Sequence, residues 1–546
     1  MNERVRRFAD NYWDQVLELK PLLATQVGDE RFDDRLPDLS EVGRARATSL
    51  HEQALEEFRD FETELLGREE RTTLRMVEGL GRVELAALEH RFDRFDVLSH
   101  MWGPGTLLAT LGSLQRTDSE ERLMRYLARL RAFPAYLNAA AEQVGEAAAS
   151  GQMPARVVVQ RTIAQLEDLL DAGADDNAAL NAVAEDDTDG RTRVAAVLGD
   201  VVLPAYRPFL DAVRAASERA SEALGLCALR GGDEMYRAKV LAWNSAPFDP
   251  EEVHRFGQDE LARLDAERAA IAARLGHRTA EEAIAVATES GEITLDSREA
   301  MLALATEQVE RSWERCHDFF GRFPKSNCEV KPVDASREKD VLDHYLPPTA
   351  DGSRPGVYYV NTAPGRPLHR LASTTYHEAN PGHHLHMALE QEYEQRPEIR
   401  RFGSELVASA FVEGWGLYSE RLADEMGLFE NDYERLGMLE LQALRAVRLV
   451  VDTGIHALGW DRDRAVLEMR QTGMTPDEIA IEVDRYAALP AQALTYKLGQ
   501  RTIEGLRAEA ERREGESFAL KDFHDRLLEL GSLPLDALEG EMERAD

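Results

Sequence analysis

The chain has 546 residues, 65 of them Lys or Arg against 101 Asp or Glu, which gives a formal charge of −36 and a pI near 4.9. A surface this acidic repels a phosphate backbone and an anionic bilayer, so neither nucleic acid nor membrane is expected as a partner. The 43% of hydrophobic residues, spread along the chain, suffice for a sizeable core.

The opening Met-Asn-Glu-Arg-Val-Arg-Arg leads into an amphipathic segment with no apolar leader, and no run of about 18 apolar residues follows. Cys227, Cys316 and Cys328 make an odd, sparse set. A reducing, cytoplasmic setting is therefore expected. Apolar residues recur at helical spacing in Phe8, Tyr12, Val16 and Leu19, then in Leu55, Phe58, Phe61 and Leu65. Further helical stretches are expected over roughly 118–148, 160–172, 191–225, 250–275, 298–322, 373–393, 404–426, 431–458 and 500–530. The fold class is thus mainly α.

Composition divides the chain into a helical region, 1–245, rich in Ala, Arg and Glu, and a region, 246–546, that holds most of the unusual residues. Asp249 and Pro250 read as the cap and first residue of a helix at that boundary. A strand is expected at 356–362, Gly-Val-Tyr-Tyr-Val-Asn-Thr. Its edge is suited to pairing with an extended peptide, with Tyr359 and Asn361 as substrate contacts.

Seven of the fourteen histidines fall between His344 and His456, and His377, His383, His384 and His386 crowd into ten positions. In a His-Glu-x-x-His helix the two histidines share one face and one zinc ion, and the Glu serves as base. Here the fifth position is Pro381. On an undistorted helix His383 lies about 240° round from His377, and His384 sits about 10.5 Å along the axis, so neither shares an ion with it. Asn380, which precedes proline, Pro381, which donates no amide, and Gly382, which tolerates positive φ, predict a bulge. A bulge of two residues brings His383 into the missing position, with His384 as the alternative ligand. Glu413, in the apolar stretch Val407–Trp415, is the expected third ligand, because an unpaired carboxylate there is costly to bury. Glu420, two turns on, reads as a carboxylate behind the ligands.

Two segments carry a family resemblance: His-Glu-x-x-Pro-Gly-His-His at 377–384 and Phe-Val-Glu-Gly-Trp at 411–415. Residues 340–500 resemble the zincin-like family called domain of unknown function 885. The first motif is similar to the lengthened His-Glu-x-x-Gly-His of dipeptidyl peptidase III, and the second resembles the third-ligand region of thimet-type oligopeptidases. The likeness extends to Val450–His456, to Arg485-Tyr486, to Pro490–Gly499 and to Asp33–Pro37, with Ala491 standing where the family pattern leads one to expect glycine. It implies a large helical zincin-like fold with a small β element beside the metal helix and a deep cleft.

It also implies one zinc ion on His377, His383 and Glu413, with Glu378 as general base. Tyr486, Tyr496 and His456 are then the candidate donors to the oxyanion. Arg485 and Lys497 are candidates for a substrate carboxylate, with Gln492 beside them. The expected activity is hydrolysis of small peptides, as a carboxypeptidase, dipeptidyl carboxypeptidase or oligopeptidase. A non-catalytic peptide-binding protein and a zinc amidase acting on non-peptide amides are the competing readings. No nucleotide loop or serine-hydrolase elbow is present.

Overall fold

Local capping chemistry fixes the helices that matter for the site. Asp249 accepts hydrogen bonds from the Glu251 and Glu252 amides and starts the helix Pro250–Arg274 where the Asp-Pro pair sets it. Asn431 does the same for Asp432–His456, and Thr475 with Glu478 forms a capping box ahead of Pro476–Ala488. These elements belong to a mainly helical protein with one small sheet, seen in a computed structural model that describes residues 1–295, 297–334, 338, 341–349 and 354–544.

Several expected long helices are broken. The stretch 118–148 is two helices, Glu120–Arg131 and Phe133–Ser150, because Pro134 fits a first helical turn but not an interior. The stretch 500–530 divides into Thr495–Glu514 and Leu520–Leu530, with Gly515 at φ 56° between them. The stretch 191–225 ends at Ser217. Pro476–Ala488 is missing from the sequence-derived set, although its capping box is a start signal.

Trp13, Leu80, Leu264, Trp415, Val447, Ile479 and Leu527 all belong to one buried cluster, so residues on both sides of the 245/246 line share the larger core. A second cluster, with Leu108, Tyr126, Phe133 and Tyr206, lies within the N-terminal region.

The sheet comprises β1 (Cys328–Pro332), β2 (His344–Leu346) and β3 (Gly356–Val360), in the order β1-β3-β2. β3 runs parallel to β1, with Cys328 opposite Gly356, and antiparallel to β2, with Tyr345 opposite Tyr358. The expected edge strand is therefore the central one, and a peptide cannot pair with it. Its near-continuous apolar run is the signature of a strand covered on both faces.

The helix Leu371–Glu378 follows β3 and packs on Ser409–Glu425, on Asp432–His456 and on Arg298–Cys316. Ser409–Glu425 in turn crosses Thr495–Glu514 at Gly414 and Gly499, where a Cβ on Gly414 would lie 2.4 Å from the opposing backbone. That contact brings Glu413 and Tyr496 to the same end of the crossing. Among the described residues no helix is long and apolar enough to cross a membrane.

Candidate metal centre

The helix Leu371–Glu378 stops at Glu378. Ala379 leaves helical geometry at φ −99° and ψ −107°, Asn380 and Pro381 turn the chain, and a π-helical turn resumes at His384–Ala388. The expected bulge is thus a complete interruption, and it returns His383 to the His377 ring, centroid to centroid 4.7 Å at 85°. Gly382 does not use the positive φ that glycine tolerates. Glycine is required there because a Cβ would lie 1.9 Å from the His377 carbonyl oxygen. The helix Ser409–Glu425 clamps the turn: Trp415 Nε1 donates to the Pro381 carbonyl at 3.0 Å and Ser419 Oγ donates to the same oxygen at 3.3 Å. On that helix Gly416 makes room for the imidazole, since a Cβ would sit 2.7 Å from the His377 ring.

Glu413 Oε2 lies 3.6 Å from His377 Nε2 and 3.7 Å from His383 Nε2. The Glu413 side chain keeps 23% exposure against 4% and 10% for the two histidines, so solvent reaches the cluster from the carboxylate side. His377 Nδ1 donates to Glu420 Oε1 at 2.9 Å, which leaves its Nε2 facing Glu413. Glu420 is fully buried, and its other oxygen accepts from Ser373 Oγ and Gln442 Nε2. Among the described residues His383 Nδ1 is buried without a hydrogen-bond partner.

Burial works against a charged His377, but Glu413 and Glu420 outweigh it and raise its pKa to about 9. Burial likewise opposes the charge of Glu413, and the two histidines overcome it, so its pKa falls far below the usual range. Burial raises Glu378, with His383 and His377 opposing. The cluster therefore presents a surplus of carboxylate that favours positive charge between the rings. Two imidazole nitrogens and a carboxylate oxygen suit zinc. Ligands about 2.0–2.1 Å from a tetrahedral ion stand roughly 3.3–3.4 Å apart, close to the separations seen.

The structure brings together His377, His383, Glu413, Glu378, Glu420 and Tyr496. Tyr496 is half-buried, and its ring stacks 6.5 Å from that of His377. It does not bring in His384, which is turned toward the sheet: Nδ1 accepts from Tyr345 Oη at 2.9 Å and Nε2 donates to the Ser326 carbonyl at 3.1 Å. The alternative ligand is thereby excluded. His456 is also excluded from catalysis. It is fully buried, with Nδ1 on the Leu226 amide and Nε2 on the Tyr486 carbonyl, so neither nitrogen is free.

Tyr486 Oη donates to Glu482 at 2.5 Å and accepts from Arg448, which commits it to an ion-pair network. Lys497 is not a substrate contact. Its buried Nζ donates to Gln442 Oε1 and Gln500 Oε1, and burial lowers its pKa to about 8. Arg485 and Gln492 hold each other at 2.7 Å beside Glu482. Asn361 is buried and donates to the Glu338 and Val341 carbonyls, so it anchors a loop. Tyr359 stacks on His344 and lines a cavity of about 800 Å³ with Leu302 and Leu346, a lining that contains none of the clustered histidines.

Sequence reasoning missed Ser373, Gln442, Arg445, Arg448 and Glu482. The signal available was Gln442, Arg445 and Arg448 at three-residue spacing among the apolar residues of the helix Asp432–His456, where buried polar groups must have partners.

Two solved structures share this architecture. One, described as "the putative lipoprotein from Colwellia psychrerythraea", is 26% identical with a TM-score of 0.89 over 99% of this chain and 98% of that one. The other, "a putative lipoprotein of unknown function from Shewanella oneidensis", is 18% identical with a TM-score of 0.74 over 99% of each, a likeness of fold alone. Among curated proteins no match is found. The profile of bacterial proteins of unknown function DUF885 covers residues 21–542, and the chain belongs to that family.

Proposed function

We propose that the protein is a zinc-dependent peptidase of the zincin kind that hydrolyses small peptides. The observation that carries this reading is the convergence of His377, His383 and Glu413 at 3.6–3.7 Å with Glu378 next in sequence to a ligand. His377 and His383 through Nε2 and Glu413 through a carboxylate oxygen are the residues that would hold the ion. When bound, zinc supplies Lewis-acid polarisation of a carbonyl.

The remaining chemistry belongs to the chain. Glu378 takes the proton of the attacking water as its oxygen bonds to the carbonyl carbon. It then passes that proton to the amine nitrogen as the C–N bond breaks, a role worth typically 10²–10⁴-fold. Burial raises the basicity of Glu378, which suits a group that must both accept and return a proton. Tyr496, beside His377, is the hydroxyl best placed to donate to the oxyanion. Glu420 holds the His377 tautomer that the site needs.

A cytoplasmic setting rests on three free cysteines. The lipoprotein names of the two similar structures favour a membrane-surface setting instead, and cell fractionation separates the two. The test of function is mass spectrometry of a mixed peptide library incubated with wild type, with Glu378→Gln and with a chelated sample. Cleavage by wild type that is lost in both controls supports the reading. An inert, folded, zinc-loaded wild type transfers it to a non-peptide amide or to peptide binding without catalysis.

A further inference from the structure

Next to the histidine cluster, this strongly acidic chain gathers three arginines around one tyrosine. Arg448 Cζ lies 5.1 Å and Arg445 Cζ 5.7 Å from the Tyr496 ring, which itself stacks 6.5 Å from His377. Arg485 approaches from the helix Pro476–Ala488 and shares Glu482 with Arg448: Oε1 accepts from Arg485 at 3.1 Å, and Oε2 accepts from Arg448 at 2.9 Å and from Tyr486 Oη. One carboxylate therefore serves two guanidinium groups.

Arg445 is paired less well. Its nearest carboxylate is Glu420 at 3.8 Å, whose oxygens already accept from His377, Ser373 and Gln442. Among the described residues its buried Nε has no partner. Partly buried cations in excess of their counter-charges are costly, and a planar guanidinium is built to receive a carboxylate through two parallel hydrogen bonds.

Resting on the peptidase reading, we propose that Arg445, Arg448 and Arg485 form a subsite for the free α-carboxylate of a peptide substrate, so that the protein cuts close to the C-terminus. With the Tyr496 ring 6.5 Å from that of His377 and 5.1 and 5.7 Å from the Arg448 and Arg445 guanidinium carbons, the subsite lies at most about 12 Å from the His377 ring, a span of about three extended residues at roughly 3.5 Å each. The bond broken is then one of the last three, and the product is an amino acid, a dipeptide or a tripeptide.

The test uses a pool of N-acetylated pentapeptides randomised at the last three positions and made both as free acids and as C-terminal amides. Binding to the zinc-loaded Glu378→Gln protein is read by ultrafiltration and mass spectrometry, and cleavage by wild type on the same pools. Acids should be retained at least tenfold more strongly than amides. Arg445→Gln in the Glu378→Gln background should bring the ratio within threefold, and Arg445→Lys should restore part of it. Arg485→Gln serves as the second variant should Arg445→Gln fail to show a cooperative melt. Acids and amides retained within twofold, or cut at equal rates at internal bonds, overturn the subsite and leave the peptidase reading standing. Preferential retention of acids with no cleavage of either pool leaves the subsite and overturns the peptidase. Retention of neither pool overturns both.

Discussion

His377 and Glu420 form a buried pair in which Nδ1 donates to Oε1 at 2.9 Å and Nε2 is left pointing at Glu413. The pair decides which nitrogen is available, because a neutral imidazole that donates from Nδ1 must accept at Nε2. Glu420→Gln keeps the shape but lets the amide donate, which favours the opposite tautomer. Zinc affinity is expected to fall roughly 10–100-fold, measured by competition with a chromophoric chelator. Unchanged affinity would remove Glu420 from the site's workings.

Glu378 and Glu413 separate by their effects on metal and on rate. Glu378→Gln should retain one zinc per chain while hydrolysis falls by about 10²–10⁴-fold. Glu413→Ala should lose the ion as well, because two histidines alone make an incomplete zinc site. Metal content by emission spectrometry beside peptide cleavage checks both. A Glu378→Gln protein that cleaves at the wild-type rate would sink the assignment of the base.

The turn 379–382 is tested through a residue that contributes no ligand. In Gly382→Ala the new methyl would have to occupy space 1.9 Å from the His377 carbonyl oxygen, so the backbone must shift and carry His383 with it. Zinc binding should be lost while far-ultraviolet circular dichroism stays helical, since the turn lies between two helical segments and not inside one. Retained binding at wild-type affinity would show that the turn relaxes without moving His383.

How far the site was legible in the sequence depends on what each residue's role requires. The convergence of His377, His383 and Glu413 was readable because the proposed ligand set needs particular residue types, and the Pro381-Gly382 step announced an interruption. The reason for Gly382 was not readable: close approach to the His377 carbonyl depends on the path of the returning chain. His456 looks catalytic and Lys497 substrate-binding by type, yet their partners, the Leu226 amide and Gln442, come from distant helices that no local pattern joins. β3 was readable as a strand but not as the central one, because β1 and β2 are short and flank it from segments without strand periodicity. The mainly helical class followed from apolar spacing. The breaks near Ala132 and Gly515 needed closer attention to proline and glycine.

His456 also sets a pH dependence that a catalytic histidine would not. Burial lowers its pKa to about 4, and His386 and His524 are depressed to about 3 by the same cause. Below about pH 6.5 the unfolded chain takes up protons on these rings that the folded protein does not. Their contribution is therefore fully present above pH 6.5 and is lost as pH falls toward 4 and below, on the order of 2 kcal/mol per ring at pH 5. Melting temperature should drop between pH 7.5 and pH 5, and His456→Gln should melt lower at pH 7.5 but with a shallower pH slope. Because His456 lies outside the cluster of His377, His383 and Glu413, the same variant should leave the apparent pKa values of kcat/KM where they are in wild type. A shift in that profile would return His456 to the reaction, and an unaltered melting slope would mean that its ring is not the buried neutral group described here.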